Sequence, residues 1–258
     1  MGMDLIIVLF FIGFIGSFIS GMVGIGGSII KYPLILYIPP LLGVGMFTAS
    51  EVAGISAVQV FFASLAGMFA FRKGGYLNKR LIFTMGISVL IGSFAGGFGS
   101  DYLSNNIINT IYGLMATIAA IMMFVPKKQI DDIPNDQIQF NTFVAIVSAF
   151  IVGLGAGIVG AAGAFLLVPI MLVFLKIPTR VTIASSLAIT FLSSIGSTIG
   201  KVLTDQVLYG PAIVMIIASL IAAPLGANTG KRMNTKLLQV ILAILILATA
   251  IKIWLEFI

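Results

Sequence analysis

The sequence predicts an all-α polytopic membrane protein of two inverted-topology repeats, each a glycine-broken helical hairpin plus three transmembrane helices, about eight to ten membrane segments in all. Three observations predict it. The 258 residues are 60% hydrophobic and only 9% charged, against roughly 25% charged in a water-soluble domain. A glycine-rich motif occurs twice in register, and the basic residues share one face only if each broken pair returns to the side it left.

Apolar runs at 4–22, 28–46, 51–71, 81–98, 107–125, 141–158, 164–177, 183–203, 211–228 and 237–257 approach the length of about 20 residues that crosses a bilayer. The first follows Met1-Gly2-Met3-Asp4, without the Lys or Arg of a signal peptide, and reads as a retained segment. Gly24-Ile25-Gly26-Gly27 separates the first two runs, and Gly160-Ala161-Ala162-Gly163 the sixth and seventh. These breaks are weak in hydropathy but strong in backbone propensity, since each Gly costs a helix about 1 kcal/mol. The one aqueous stretch, 126–140, carries Asp131, Asp132, Asp136 and two prolines. It reads as a solvated cytoplasmic linker between a first membrane repeat (1–125) and a second (141–258), rather than as a metal site.

Residues 21–36, GMVGIGGSIIKYPLIL, align without gaps to 157–172, GIVGAAGAFLLVPIML, and six of the sixteen pairs are identical: Gly21/Gly157, Val23/Val159, Gly24/Gly160, Gly27/Gly163, Pro33/Pro169 and Leu36/Leu172. Ala49-Ser50 then faces Ala184-Ser185 after a one-residue gap. Loops rich in Lys and Arg stay cytoplasmic. If each break lay inside one continuous crossing, the loop charges would divide six against five. If each broken pair is a hairpin, all eleven (Arg72, Lys73, Lys79, Arg80, Lys127, Lys128, Lys176, Arg180, Lys231, Arg232 and Lys236) share one face and both termini lie outside. Whether the hairpins span or are re-entrant stays open, because either contributes an even number of crossings.

Composition removes much chemistry. There is no Cys and no His, which excludes thiol nucleophiles, disulfides, zinc fingers and Ser-His-Asp arrangements. A formal charge of +6 would suggest nucleic acid in a soluble protein; here the basic residues cluster between spans, so no nucleic acid is expected and the partner is the lipid bilayer. No cofactor, metal or nucleotide-binding signature is expected either.

Irregular backbone survives at membrane depth only where it packs in protein or lines a wet cavity. A helix that restarts after a break presents unpaired N–H groups and about half a positive charge, which favour an anion. Two such ends in inverted copies would meet near the midplane. Candidate substrate-binding positions are therefore Gly24, Gly26, Gly27 and Ser28 in the first break and Gly160, Gly163 and Ala164 in the second. Pro33 and Pro169 would support the helix breaks. The alternative, that these glycines only let helices approach closely, is set against a motif that is duplicated with its proline.

The paired glycine motifs, Pro33 and Pro169, the Ala-Ser pairs and the chain length resemble the TauE/SafE family of sulfite and organosulfur-anion transporters. That resemblance covers nearly the whole chain and implies a secondary transporter of small, commonly sulfur-containing anions. The second motif, GAAGA, is poorer in glycine than the first, so the two halves are not expected to play equal roles.

Polar residues inside spans are functional hypotheses by default. Ser50, Ser56, Gln59, Ser185, Thr190, Ser193 and Ser194 are candidates for hydrogen bonds to oxyanion oxygens, against the alternative that such hydroxyls bond their own backbone. Glu51 faces Ser186 in the copy; it reads either as a proton-coupling carboxylate or as the acid of a capping box, Thr48-Ala49-Ser50-Glu51. Lys31 faces Leu167, and either pairs with a bound anion or snorkels to the surface, the second being the preferred reading. Three functions are weighed: a secondary transporter with proton or sodium coupling left open, an anion channel using the same helix ends, and an intramembrane enzyme built on Asp, Glu and Ser. The transporter is the leading one; oligomeric state is left open.

Overall fold

The computed structural model describes residues 1–24, 28–71, 75–125, 138–161 and 163–255. The chain folds into α1 (Met3–Val23), α2 (Ser28–Leu41), α3 (Ala49–Phe71), α4 (Lys79–Gly99), α5 (Asn105–Phe124), α6 (Thr142–Val159), α7 (Ala164–Val173), α8 (Thr179–Leu203), α9 (Tyr209–Arg232) and α10 (Thr235–Leu255), with a 3-10 turn at Ser100–Tyr102. Among the described residues there is no strand. Seven helices, α1, α3, α4, α5, α6, α8 and α9, are long and apolar enough to cross a bilayer. Phe83, Ile87, Ile91 and Phe94 are exposed along one side of α4, the stripe expected of a helix whose outer face meets lipid. The protein is an all-α, multi-pass membrane protein. The linker expected at 126–140 lies outside the described residues up to 137.

Polar residues set the helix starts. Asn78 Oδ1 accepts from Leu81 N at 2.9 Å, and Asn141 Oδ1 accepts from Val144 N at 3.2 Å, each satisfying one amide that a helix start leaves unpaired. α1 and α6 end in the same way, on Gly24 (φ 78°) and Gly160 (φ 70°), both left-handed. A residue with a Cβ adopts that conformation only at a cost. The glycines in the duplicated motif thus divide: Gly24 and Gly160 turn the chain, whereas Gly21 and Gly157 pack against Ala223 of α9 and Ser93 of α4.

After each turn the chain comes back. Gly45, beyond α2, sits beside the Leu5 side chain at the start of α1. Beyond α7, the Arg180 guanidinium lies 6.0 Å from the Tyr76 ring and Ser185 Oγ accepts from Asn78 N at 3.1 Å, while Arg80 lies 5.2 Å from the Phe140 ring. The starts of α4, α6 and α8 therefore share one face. The returning arms are short: the 14 residues of α2 and the 10 of α7 rise about 21 and 15 Å, against a hydrocarbon thickness of about 30 Å.

α1 lies along α9 and α6 along α4, in the same direction, through small residues: Gly13 against Met215 and Ala218, Gly226 against Phe18, Gly92 against Phe150 and Gly153 against Val89. Lipid offers helices no hydrophobic drive to associate, so such close backbone approach is what holds them. α8 and α3 are the most buried of the seven long helices. They run antiparallel: Gly54 lies beside Gln206, the Phe61 ring is 5.1 Å from that of Phe191, and Gly67 lies beside Leu187.

Candidate functional site

The second break is the more completely described. A Cβ on Gly160 would strike the Ala53 carbonyl in the first turns of α3, so the turn and α3 are in direct backbone contact. The chain then doubles back: a Cβ on Gly163 (φ 65°) would meet Val152 and Ala156, more than one turn down α6. α7 therefore starts inside the protein, on the buried Ala164. Leu166 N and Leu167 N donate to Gly163 O at 3.0 Å each; the amides of Ala164 and Phe165 have no helical carbonyl behind them. Such an end favours negative charge.

α8 faces these breaks with a polar stripe. Ser186, Thr190, Ser193, Ser197 and Lys201 recur every three or four residues, which places them on one side of a helix, and all are fully buried. Ser186 Oγ donates to the Gly24 carbonyl at 2.6 Å, in the first break, and Ser197 Oγ reaches the Gly157 carbonyl at 3.5 Å, beside the second. Between them, the hydroxyls of Thr190 and Ser193 have no hydrogen-bond partner, and neither has Ser56 on α3. Unpartnered buried hydroxyls are uncommon enough that each calls for an explanation.

On the other side of α3, Lys31 of α2 is fully buried, its stem against Gly16. Its Nζ donates to Gln59 Oε1 and, at 3.4 Å, to Ser17 Oγ. Gln59 Nε2 donates to Ser17 Oγ at 2.9 Å and to Ser219 Oγ, and Ser17 Oγ donates to Ser219 Oγ at 2.9 Å. Four helices, α1, α2, α3 and α9, meet here, with Gln59 and Ser219 at the middles of their helices. The snorkelling expected of Lys31 is overturned: its stem turns inward, because Gly16 leaves room for it and two neutral polar side chains, Gln59 and Ser17, receive its head. An ammonium has three N–H groups; two are directed at these neutral partners.

The remaining expected positions are distributed as follows. Ser50 Oγ donates to Gln206 Oε1 at 2.9 Å, near the end of α8. Ser185 is engaged with Asn78, and Ser194 Oγ donates back to Phe191 O at 2.7 Å. Glu51 forms the capping box: its Oε2 accepts from Thr48 N at 2.7 Å and from Thr48 Oγ1 at 3.0 Å. Gly26 and Gly27 lie outside the described residues, as does the side chain of Ser28, which opens α2. Pro33 and Pro169 stand one turn inside α2 and α7 rather than at the breaks. Pro has no N–H to give to the carbonyl four residues back, and Tyr112 Oη donates to that carbonyl, Ile29 O, at 2.6 Å. The sequence reading missed Ser17, Ser219 and the Lys201 end of the α8 stripe; the recurrence of polar residues every three or four positions from Ser186 to Lys201 was the available signal.

A cavity of about 570 Å³ lies on the face of α2 away from Lys31, lined by Tyr32, Tyr37, Phe47, Asn106, Asn109 and Tyr112 among others. Tyr32 Oη donates to Asn109 Oδ1 at 2.8 Å, and the Tyr32 and Tyr112 rings stack at 4.4 Å. The corresponding space beside α7, lined by Val168, Leu172, Ile183 and Leu238 among others, measures about 10 Å³.

Residues 9–253 match the model of the sulfite exporter TauE/SafE family. The chain is 24% identical to the probable membrane transporter protein YunE of Bacillus subtilis over 93% of this chain and 94% of that one. It is 26% identical to a probable membrane transporter protein of Methanocaldococcus jannaschii, over 91% and 90% of the two chains, and 27% identical to one of Haemophilus influenzae, over 88% and 86%. No solved structure matches. With buried polar clusters beside two broken helices and a match that runs almost from end to end, the chain belongs to the sulfite exporter TauE/SafE family of membrane transporters.

Proposed function

We propose that the protein is a secondary transporter of a small anion, namely sulfite, a sulfonate or another organosulfur anion, and that it works by alternating access between two inverted repeats. The observation that carries this reading is Lys31, a fully buried lysine whose hydrogen-bond partners are neutral. A cation held in a low-dielectric interior without a carboxylate attracts an anion that displaces part of its shell. The solute sits between the starts of α2 and α7. Gly24, Ser28, Gly160, Gly163 and Ala164 offer it backbone amides, and Thr190 and Ser193, on the α8 side of α3 away from Lys31, offer hydroxyls without another partner to the solute as it moves past.

The antiparallel course of α3 and α8, which occupy equivalent places in the two halves, supports opposite orientation of the repeats. So does the gathering of Arg80, Arg180 and Lys231 at one end, where Arg180 Nη1 donates to Lys231 O at 3.0 Å and Lys231 Nζ donates to Ala70 O. Because the chain has no Cys, single cysteines can be introduced without a background. In intact cells, an impermeant maleimide should label Met46→Cys and Leu208→Cys and spare Gly75→Cys and Asn234→Cys. Labelling of Gly75→Cys and Met46→Cys alike would contradict that orientation.

Flux into proteoliposomes tests the transport reading. Radiolabelled sulfite or methanesulfonate uptake should saturate with concentration. A current proportional to concentration, with no saturation, would make the protein a channel, and appearance of a new chemical species would make it an enzyme.

A further inference from the structure

The other buried lysine lies outside the site just described. Lys201, near the C-terminal end of α8, is fully buried. Its Nζ donates to Ser100 Oγ and to Gln206 Oε1, each at 2.7 Å. Ser50 Oγ donates to the same Gln206 oxygen at 2.9 Å, and Gln206 Nε2 donates to Thr204 Oγ1 at 2.9 Å. The cluster thus joins the start of α3, the turn after α4 and the end of α8. Asp101, next in the chain to Ser100, is a carboxylate near Lys201; the hydrogen-bond partners of Lys201, Ser100 and Gln206, are neutral, and its third N–H is not directed at either of them. Ser50 and Gln206 are only half-buried, so the cluster meets the rim of the protein on the side away from the basic face.

The α8 stripe connects this lysine to the interior. From Ser186 at the first break, through the unpartnered Thr190 and Ser193, to Ser197 beside the second break and then Lys201, polar groups line one side of the helix for about 22 Å. We propose that Lys201, with Ser50, Ser100 and Gln206, is a second anion station, where an oxyanion is held on its passage between the rim and the mid-bundle site. This rests on the transporter reading. Lys201 ends the same buried polar face of α8 that carries the Thr190 and Ser193 hydroxyls, and does so where that face meets the rim.

Proteoliposome uptake of radiolabelled sulfite, with methanesulfonate alongside, tests it through the split between KM and kcat. Lys201→Gln should raise KM about tenfold or more at a comparable kcat, and Lys201→Arg should recover most of the loss. Gln206→Glu places a carboxylate against the ammonium at a half-buried position and should raise KM in the same way; it serves where Lys201→Gln does not fold. If Lys31→Leu abolishes uptake while Lys201→Gln and Gln206→Glu keep the native KM, the second station falls and the transporter reading stands. If the native protein shows no saturable uptake of either anion, both fall.

Discussion

The two hairpins begin from one motif and differ in what they carry. In the first, α2 bears Lys31, two tyrosines and three prolines, Pro33, Pro39 and Pro40, and borders a cavity of about 570 Å³. In the second, α7 reads AFLLVPIMLV, is buried along nearly its whole length, and leaves about 10 Å³ in the corresponding space. Both turn on a left-handed glycine and both resume as a short helix inside the protein. The duplicated residues therefore build the geometry, and the unduplicated ones set how polar each hairpin is. The first hairpin brings a lysine to the middle of the bundle; the second brings only apolar side chains.

Breaking the shared part should have the largest effect. Gly160→Val forces a β-branched residue into a left-handed conformation, a cost of about 1–3 kcal/mol before any clash is counted, and drives its Cβ into the Ala53 carbonyl. It should abolish the monodisperse protein peak in detergent. Normal yield would show that the turn tolerates a side chain.

Making the hairpins alike should come next. Lys31→Leu gives the first hairpin the residue type at the same place in the second. Gln59, Ser17 and Ser219 can still bond one another, so the protein should fold, while anion uptake falls by about 100-fold or more, as expected when a buried charged partner is removed. Thr190→Val with Ser193→Ala tests whether the unpartnered hydroxyls of α8 receive the solute. Losing two hydrogen bonds to an anion should raise KM by at least about tenfold while leaving thermal stability near the native value, since neither hydroxyl has a protein partner to lose.

Glu51→Gln should have the smallest effect. Gln can still accept from Thr48 at the start of α3, so stability should change by less than about 1 kcal/mol, and the pH dependence of uptake should stay native. A flattened pH profile would return Glu51 to the role of proton carrier.

The broken hairpins were legible because their determinants are local: Gly24 and Gly160, the left-handed residues that end α1 and α6, are short-range signals. Lys31 was not. A lysine in an apolar segment has two acceptable destinations, and the groups that decide between them, Gly16, Ser17, Gln59 and Ser219, come from three other helices. Hydroxyls posed the same problem in reverse. Ser185, Thr190 and Ser194 look equivalent in sequence, yet Ser185 is spent on Asn78, Ser194 on its own helix, and only Thr190 is unpartnered. Which hydroxyl stays unpaired depends on helix rotation and neighbours, and these are set by packing.

The most direct test is counterflow. Proteoliposomes preloaded with unlabelled sulfite receive a trace of labelled sulfite outside, with native protein and Lys31→Leu compared at equal folded amounts. The expected result is transient accumulation of label by the native protein and none by the variant. Equal accumulation by both, or passive equilibration without overshoot by the native protein, would contradict a carrier that binds its anion at a buried lysine.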